Sequence, residues 1–196
     1  MSKLVHQPVS LSAAADFVAA HHRHSEPLKR HRFSIGAWTD RAYAMYEAQN
    51  KQTDNMLGVV TVCNCSSRGW SSLNHMAEIR RVCTRPDTPK NTASFLISKA
   101  RDACFAMGHD YVVTYTKASE RGSSLLAAGF EMIDYKINSD GSGRMCWMAS
   151  SDGFKCLSDD WRVFPGEGTR DDLRAWARSR LKKVQDLIAT DKKGFQ

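Results

Sequence analysis

The feature that most constrains the fold is a strand, a helix and a second strand that follow one another between residues 77 and 116. A strand is predicted over 77–84, where apolar side chains stand among charged ones. The break at 85–91 contains two prolines and precedes a helix predicted over 92–107, which Gly108 ends. The next strand is predicted over 111–116. A helix between two such strands crosses over the sheet, so this part of the sheet is predicted to be parallel.

The rest of the chain adds strands and helices to this unit. The patterns predict a helix over 11–22, strands over 33–38, 42–47 and 56–63, a short helix over 121–128, and paired strands over 131–135 and 144–148. The predicted fold class is α+β, with a single mixed sheet flanked by helices. We expect residues 1–150 to form this domain. Residues 151–196 are predicted to be an irregular segment followed by a basic C-terminal helix over 169–189.

The charge of the chain favours anionic partners. Lys and Arg number 28 against 21 Asp and Glu, which gives a net charge of +7. A positive field attracts polyanions such as nucleic acid and coenzyme phosphates, although the same charge also serves solubility. No apolar run approaches the roughly 20 residues of a membrane span, and the N-terminus lacks the apolar core of a signal peptide. We therefore expect a cytoplasmic protein without a membrane partner.

The six cysteines lie inside apolar segments rather than in a disulfide framework. Cys63 and Cys65 are separated by a single residue, and no second pair completes a zinc site. They are predicted to be buried or incidental thiols, and no metal is assigned to the chain.

The order of elements resembles that of the GNAT (GCN5-related N-acetyltransferase) superfamily. The segment 123–130 resembles the superfamily pattern x-x-L-x-x-x-G-F, in which a short helix leads into the next strand. Residues 77–107 look like the coenzyme-binding unit of that superfamily. The resemblance implies an acyltransferase that takes acetyl-CoA or a related acyl donor. The residues it assigns to the cofactor are Arg81, Val82, Thr84, Lys90, Asn91, Thr92 and Ala93.

The loop before the second predicted helix departs from that superfamily. Its members have a glycine-containing turn whose backbone N–H groups cradle the coenzyme pyrophosphate, whereas residues 85–93 contain no glycine. The free N–H groups at the start of the helix and the side chain of Lys90 are the remaining candidates for holding an anion.

A second resemblance rests on a block of histidines. The sequences at 20–27, 31–36, 80–84 and 114–116 are similar to a phage-encoded GNAT-like group related to the Mom proteins, which convert adenine in phage DNA to an N6-acetamido derivative that resists restriction. This resemblance implies a transferase that modifies an amino group of adenine, with double-stranded DNA as its partner. A homodimer is left open. The residues predicted to bind DNA are Arg23, Lys29, Arg30, His31 and Arg32.

The candidate catalytic residues belong to the histidine block and to the end of the strand at 111–116. Imidazole can accept a proton or bind a metal, but histidines also suit a solvated helix end. A tyrosine hydroxyl can protonate a leaving thiolate, or the residue is an ordinary strand aromatic. Residues 119 and 120 lie where sheet proteins often place active groups, or they cap the next helix. The predicted catalytic set is His21, His22, His24, Ser25, Tyr115, Ser119 and Glu120.

Two further functions stay open. One is an N-acetyltransferase that uses acetyl-CoA to modify a small amine or a protein lysine. The other is a non-catalytic protein that uses the same fold to bind a host protein. Binding of acetyl-CoA without binding of DNA favours the first, and co-purification with a host protein favours the second.

Overall fold

The computed structural model describes residues 3–22, 26–48, 55–66, 75–117, 120, 122–137 and 143–151. The strands in this part are β1 (Leu4–Val9), β2 (Phe33–Thr39), β3 (Gly58–Cys63), β4 (Met76–Thr84), β5 (Tyr111–Lys117), β6 (Glu131–Ile137) and β7 (Gly143–Ser150). The helices are α1 (Leu11–His21), α2 (Asp40–Ala48), α3 (Thr92–Ala106) and α4 (Ser123–Ala127). The strands form one sheet in the order β1-β2-β3-β4-β5-β7-β6. The predicted α+β fold with a single mixed sheet is confirmed, while the predicted C-terminal helix lies outside the described residues.

The pairing of β4 with β5 is parallel, and every other pairing in the described sheet is antiparallel. The helix α3 makes the crossover, as the sequence predicts. The β4–β5 ladder ends at the pair Ile79–Thr114, although β4 continues to Thr84 and β5 to Lys117. At this last pair the Thr114 hydroxyl donates to the Ile79 carbonyl at 2.8 Å. The two strands therefore diverge over their second halves and leave a gap between them.

A β-bulge in β4 lies at the point of divergence. Two successive residues of β3, Thr61 and Val62, are opposite Arg81 and Ile79 of β4, so Arg80 is an extra residue. A bulge bends the strand that carries it and increases its local twist. The bulge thus directs the rest of β4 away from β5.

Apolar clusters fix which face of the sheet each side chain occupies. On one face α3 packs against a cluster that includes Ile79 and Val112. On the opposite face, which we call the α1 face, α1 packs against a cluster that includes Val59 and Cys83. Because successive residues of a strand point to opposite faces, a third cluster also lies on the α1 face. It comprises Met76, Tyr111, Val113, Ile133, Cys146 and Met148.

Residues 40–48 form helix α2, so the strand predicted over 42–47 is wrong. The Thr39 hydroxyl accepts a hydrogen bond from the Ala42 N–H at 3.2 Å, and Asp40 Oδ1 accepts one from the Arg41 N–H at 2.9 Å. These two side chains cap the first turn of a segment that contains three alanines, the residue that favours helix most. The other elements predicted within the described residues are present, with shifted ends: the first helix stops at His21 and the short helix covers 123–127.

The helices that flank the sheet are short. The longest described, α3, has 15 residues, and Gly108 follows it with a φ of 84°, as expected for a helix stop. No helix in the described part of the chain is both long and apolar enough to cross a membrane.

The described cysteines are free thiols, and four of the five are buried. Burial raises the pKa of Cys65 and of Cys104 to about 12 and that of Cys83 to about 11. These thiols are therefore protonated at neutral pH and are poor nucleophiles. Four of the described cysteines are thus buried as predicted, Cys65 is half-buried, and Cys156 lies outside the described residues.

A buried histidine after α3 makes stability depend on pH. The Arg32 guanidinium donates to His109 Nε2 at 3.0 Å, so this nitrogen is an acceptor and the ring is neutral. Burial, followed by the charge of Arg32, lowers the pKa of His109. The unfolded chain therefore binds this proton at a higher pH than the folded chain. The resulting stability is present above the unfolded pKa of about 6.5 and is lost as the pH falls through the folded value.

We expect the free energy of unfolding, measured by urea titration, to decrease between about pH 7.5 and 5.5 and to decrease less in His109→Gln. Part of the decrease remains in the variant, because burial also lowers the pKa values of His6 and His31. An unchanged slope in His109→Gln would show that this histidine is not the group responsible.

Candidate functional site

A cavity of about 310 Å³ opens where β4, α3 and α4 meet. It is lined by Thr84, by residues 88–94, and by Ser123, Ser124 and Ala127. Five of the seven residues predicted to bind the cofactor therefore line it, and the other two, Arg81 and Val82, lie on the diverging part of β4. The structure places the whole predicted set along one path from the cavity to the gap between β4 and β5.

Asn91 replaces the glycine that the loop before α3 lacks. Its φ is 70°, in the left-handed region, which asparagine adopts more readily than other residues that have a Cβ. Its side chain makes no capping hydrogen bond to α3. Its carbonyl accepts hydrogen bonds from the Phe95 N–H at 2.9 Å and from the Ser94 hydroxyl at 3.0 Å. The loop thus reaches a tight turn into α3 without glycine.

The first turn of α3 offers donors to the cavity. The Thr92 N–H donates to the Pro89 carbonyl at 3.3 Å, but the N–H groups of Ala93 and Ser94 have no acceptor among the described residues. Such groups carry the positive end of the helix dipole and bind phosphate. The exposed Lys90 adds a full positive charge beside them. The donor set therefore suits a diphosphate.

Asp87, in the same loop, is neutralised by a neighbour. Arg85 binds both carboxylate oxygens, through Nε at 3.1 Å and through a terminal nitrogen at 2.8 Å. These hydrogen bonds hold the pKa of Asp87 below its usual value, so the pair stays ionised. An anion in the cavity meets a compensated carboxylate rather than a free one.

The gap between β4 and β5 suits an extended ligand. Beyond the Ile79–Thr114 pair the facing edges of the two strands are not joined by the ladder. A ligand with amide groups can add to such an edge as a strand does. Because the gap opens beside Thr84 and closes at Ile79, a ligand held in the cavity can extend to the middle of the sheet.

Tyr115 lies at the closed end of this gap, directly after Thr114. The Arg144 guanidinium lies over its half-buried ring, and the guanidinium carbon is 4.4 Å from the ring centroid. It also hydrogen-bonds the thiol of Cys146, the residue opposite it on β7. Among the described candidates for catalysis, Tyr115 is the one on a strand that borders the gap.

Glu78, a buried carboxylate next to the bulge, is not among the site residues predicted from the sequence. Its side chain accepts hydrogen bonds from the Ser66 N–H at 2.7 Å and hydroxyl at 2.9 Å, and from the Arg80 guanidinium at 3.2 and 3.3 Å. Only 3% of Glu78 is exposed. An acidic residue inside an apolar strand, two positions from an arginine, is the sequence signal that identifies this pair.

The histidines at the end of α1 lie elsewhere. His21 contacts the Phe17 ring, with 4.6 Å between centroids, and its charge contributes to the lowered pKa of Asp87. His21 thus faces the loop before α3. His22 ends the helix, and its N–H donates to the Val18 carbonyl at 2.9 Å. The predicted residues His24, Ser25 and Ser119 lie outside the described residues.

Two of the predicted DNA-binding residues make contacts within the fold. His31 Nδ1 is 2.7 Å from the Ser34 hydroxyl, and Arg32 binds Asn64 and His109. These contacts hold the start of β2 against neighbouring segments. Lys29 and Arg30 are exposed, as is Glu120 of the predicted catalytic set. Arg23 lies outside the described residues.

Comparisons with known proteins identify the fold. No protein-family model and no curated protein sequence matches the chain. The chain is similar in structure to an acetyltransferase from Bacillus subtilis solved in complex with CoA, at 15% identity and a TM-score of 0.53, over 76% of this chain and 99% of that one. It is also similar to the ribosomal-protein-S18-alanine N-acetyltransferase from Escherichia coli, at 11% identity and a TM-score of 0.53, over 85% and 99%.

A third similar structure is a Desulfovibrio desulfuricans protein described as an acetyltransferase of the GNAT family, at 8% identity and a TM-score of 0.54, over 76% of this chain and 99% of that one. At these identities the likeness concerns the fold. The chain thus has the GNAT fold that its sequence resembles.

Proposed function

We propose that this chain is an N-acetyltransferase that transfers the acetyl group of acetyl-CoA to a primary amine. The observation that carries the proposal is the path from the phosphate-binding turn of α3 to the gap between β4 and β5. It occurs in a fold shared with acetyltransferases, one of which was solved with CoA. The same path explains why a bulge interrupts β4 at Arg80, since the bulge opens the gap.

The residues on this path fit CoA. The N–H groups of Ala93 and Ser94, with Lys90, suit its diphosphate. The hydroxyl groups of Thr84 and Ser124 line the same cavity and supply further hydrogen-bond partners. The unpaired edges of β4 and β5 suit the amide groups of its pantetheine arm.

In this proposal Tyr115 donates a proton to the leaving thiolate. When acetyl-CoA is bound it supplies a thioester: the C–N bond to the amine forms as the C–S bond breaks, the nitrogen releases a proton to water, and the thiolate gains one. At the closed end of the gap the Thr114 hydroxyl donates to the Ile79 carbonyl, so we assign the proton to the hydroxyl of Tyr115, which exchanges its hydrogen bond with the Cys146 thiol for one with the leaving thiolate. Glu78 does not take the amine proton, because its oxygens already accept hydrogen bonds from Ser66 and Arg80. It fixes Arg80 beside the bulge.

Titration of the protein with acetyl-CoA by calorimetry tests the proposal. We expect Asn91→Asp to weaken binding about tenfold or more, because it keeps a left-handed turn but adds a negative charge beside the diphosphate. Asn91→Gly keeps the turn without the charge and should retain the wild-type affinity. Failure of the wild type to bind acetyl-CoA would refute the proposal. Equal affinities for the Asp and Gly variants would refute the placement of the diphosphate.

A second candidate is transfer to an amino group of adenine in DNA, as in the Mom-related group. The observation that favours it is the exposed pair Lys29 and Arg30, which make no ion pair among the described residues. Mass spectrometry of nucleosides from cells that express the wild type or Tyr115→Phe tests it. A new adenine derivative that is lost in the variant would support this candidate, and an unchanged nucleoside profile would refute it.

A further inference from the structure

Positive side chains border the gap on the α1 face of the sheet. Arg81 is two residues from Cys83, which packs under α1, so both lie on this face. Lys117 is two residues from Tyr115 of the same face, and Arg144 is directly opposite Lys117 on β7. Arg81 therefore stands on one side of the gap, and Lys117 and Arg144 stand on the other.

Arg81 has no carboxylate partner in the described chain. Its guanidinium donates to the carbonyl oxygens of Glu26 at 3.2 Å and of Arg80 at 2.8 Å, and it belongs to none of the described ion pairs. Burial, then the charge of Arg80 and more weakly that of Arg144, lower the pKa of Arg81. An arginine that is partly buried among other cations gains most from an anionic ligand.

The carboxylates on this face do not cancel the positive charge. Glu78 is committed to Arg80, with a shortest ion-pair distance of 3.2 Å. Asp134 of β6 is opposite Cys146 of β7, which is two residues after Arg144 on that strand. Arg144 itself lies over the Tyr115 ring and forms no ion pair among the residues the structure describes. Glu131 is also on this face, opposite Met148 and at the far end of β6 from the residues that border the gap. The described strands thus place four cations on the α1 face, Arg80, Arg81, Lys117 and Arg144, against three carboxylates.

We infer that the acceptor is an amine that also carries a carboxylate or phosphate group, and that Arg81 and Arg144 bind this group on the α1 face. The inference rests on the proposed function, which brings the acyl donor through the gap from the opposite face. The planar guanidinium matches both oxyanions through paired hydrogen bonds. With the anionic group held between Arg81 and Arg144, the amine of the same molecule lies at the closed end of the gap, beside Tyr115.

Matched pairs of amines test the inference. Lysine is compared with cadaverine, which lacks the carboxylate, and phosphoethanolamine with ethanolamine, which lacks the phosphate. We expect kcat/KM to be about tenfold or more higher for the anionic member of at least one pair. The pair that shows the preference identifies which oxyanion the site takes. Equal kcat/KM values within both pairs would overturn the inference.

Variants assign the preference to the two arginines. Arg144→Gln, at an exposed position, and Arg81→Gln should raise KM for the anionic amine about tenfold more than KM for the analogue that lacks the carboxylate or phosphate. Arg81→Lys provides a second test at that site, because it keeps the charge but loses the paired donors. Lys99→Gln removes one positive charge from α3, which covers the opposite face of the sheet. This control variant should leave the KM of both amines unchanged. An equal loss for both members of a pair would contradict the assignment.

Binding separates this inference from the proposed function. Calorimetric titration of the protein with phosphoethanolamine, ethanolamine, lysine and cadaverine measures the oxyanion preference without any reaction. If acetyl-CoA does not bind, the proposed function fails, and a preference that is lost in Arg144→Gln still supports the anion site. If acetyl-CoA binds but neither anionic amine binds more tightly than its analogue, the anion site is refuted while the proposed function stands.

Discussion

Replacement of Gly122 by alanine is expected to lower the free energy of unfolding by about 3 kcal/mol. Gly122 precedes α4 with a φ of 63°, a conformation that costs a residue with a Cβ about 1–2 kcal/mol. A Cβ there would also collide with the Trp147 ring. The ring is fixed, because Trp147 is buried and its Nε1–H donates to the Thr116 hydroxyl at 2.9 Å. Overpacking of this kind adds about 1–3 kcal/mol.

Gly108→Ala is the matched control for this substitution. Gly108 also has a positive φ, 84°, but a Cβ there meets nothing within 4 Å. Only the backbone cost remains, so we expect a loss of about 1–2 kcal/mol. Urea titrations of the two variants measure the difference, which isolates the collision with Trp147. Equal losses would mean that the ring moves aside at no cost.

The second large effect is expected on catalysis. Tyr115→Phe removes the hydroxyl proton at the closed end of the gap and should lower kcat for amine acetylation about 100-fold, with little change in the KM for acetyl-CoA. The ring of the variant still supports Arg144, because the guanidinium lies over the ring rather than on the hydroxyl. The loss is therefore expected in the chemical step rather than in binding.

Tyr111→Phe is the control for this experiment. Tyr111 is on the same strand and the same face, at the paired end of β5 far from the gap. It should keep wild-type kcat in steady-state assays at saturating acetyl-CoA. A wild-type kcat in Tyr115→Phe would show that another group, or water, protonates the thiolate.

The crossover unit could be predicted from the sequence because three separate signals agree there. Apolar residues define the strands, Gly108 ends the helix, and the prolines at 86 and 89 forbid continuation of either element through the loop. The hairpin of β6 and β7 was likewise predictable from its turn residues. Both elements depend on local patterns, which a sequence displays directly.

Two elements were not predictable because their patterns are ambiguous. β1 contains Pro8, which argues against a strand, but β1 is at the edge of the sheet, where the missing N–H is tolerated. In α2 the pair Thr39 and Asp40 resembles a turn between strands, whereas the two side chains cap a helix. In β1 the position in the sheet decides the secondary structure, and in α2 the direction of two side chains decides it. Neither can be inferred from the local sequence.

The geometry of the candidate site could not be predicted from the sequence. The cofactor set came from the resemblance, and the structure places it along the cavity and β4. The bulge at Arg80 depends on the pairing of β4 with β3, so the alternation of Arg80 and Arg81 across the strand could not be read correctly from sequence. Both arginines contact groups of the α1 face as a result.

The divergence of β4 and β5 divides the described sheet into two plates, which are joined along a short seam of paired residues. Strands β1–β4 form one plate and β5–β7 the other, and four residue pairs, from Met76–Tyr111 to Ile79–Thr114, join them. A ligand whose amides pair with both edges would close the open part of that seam. The bound coenzyme would then act as a missing strand, and its dissociation would remove a structural member of the sheet as well as a reactant.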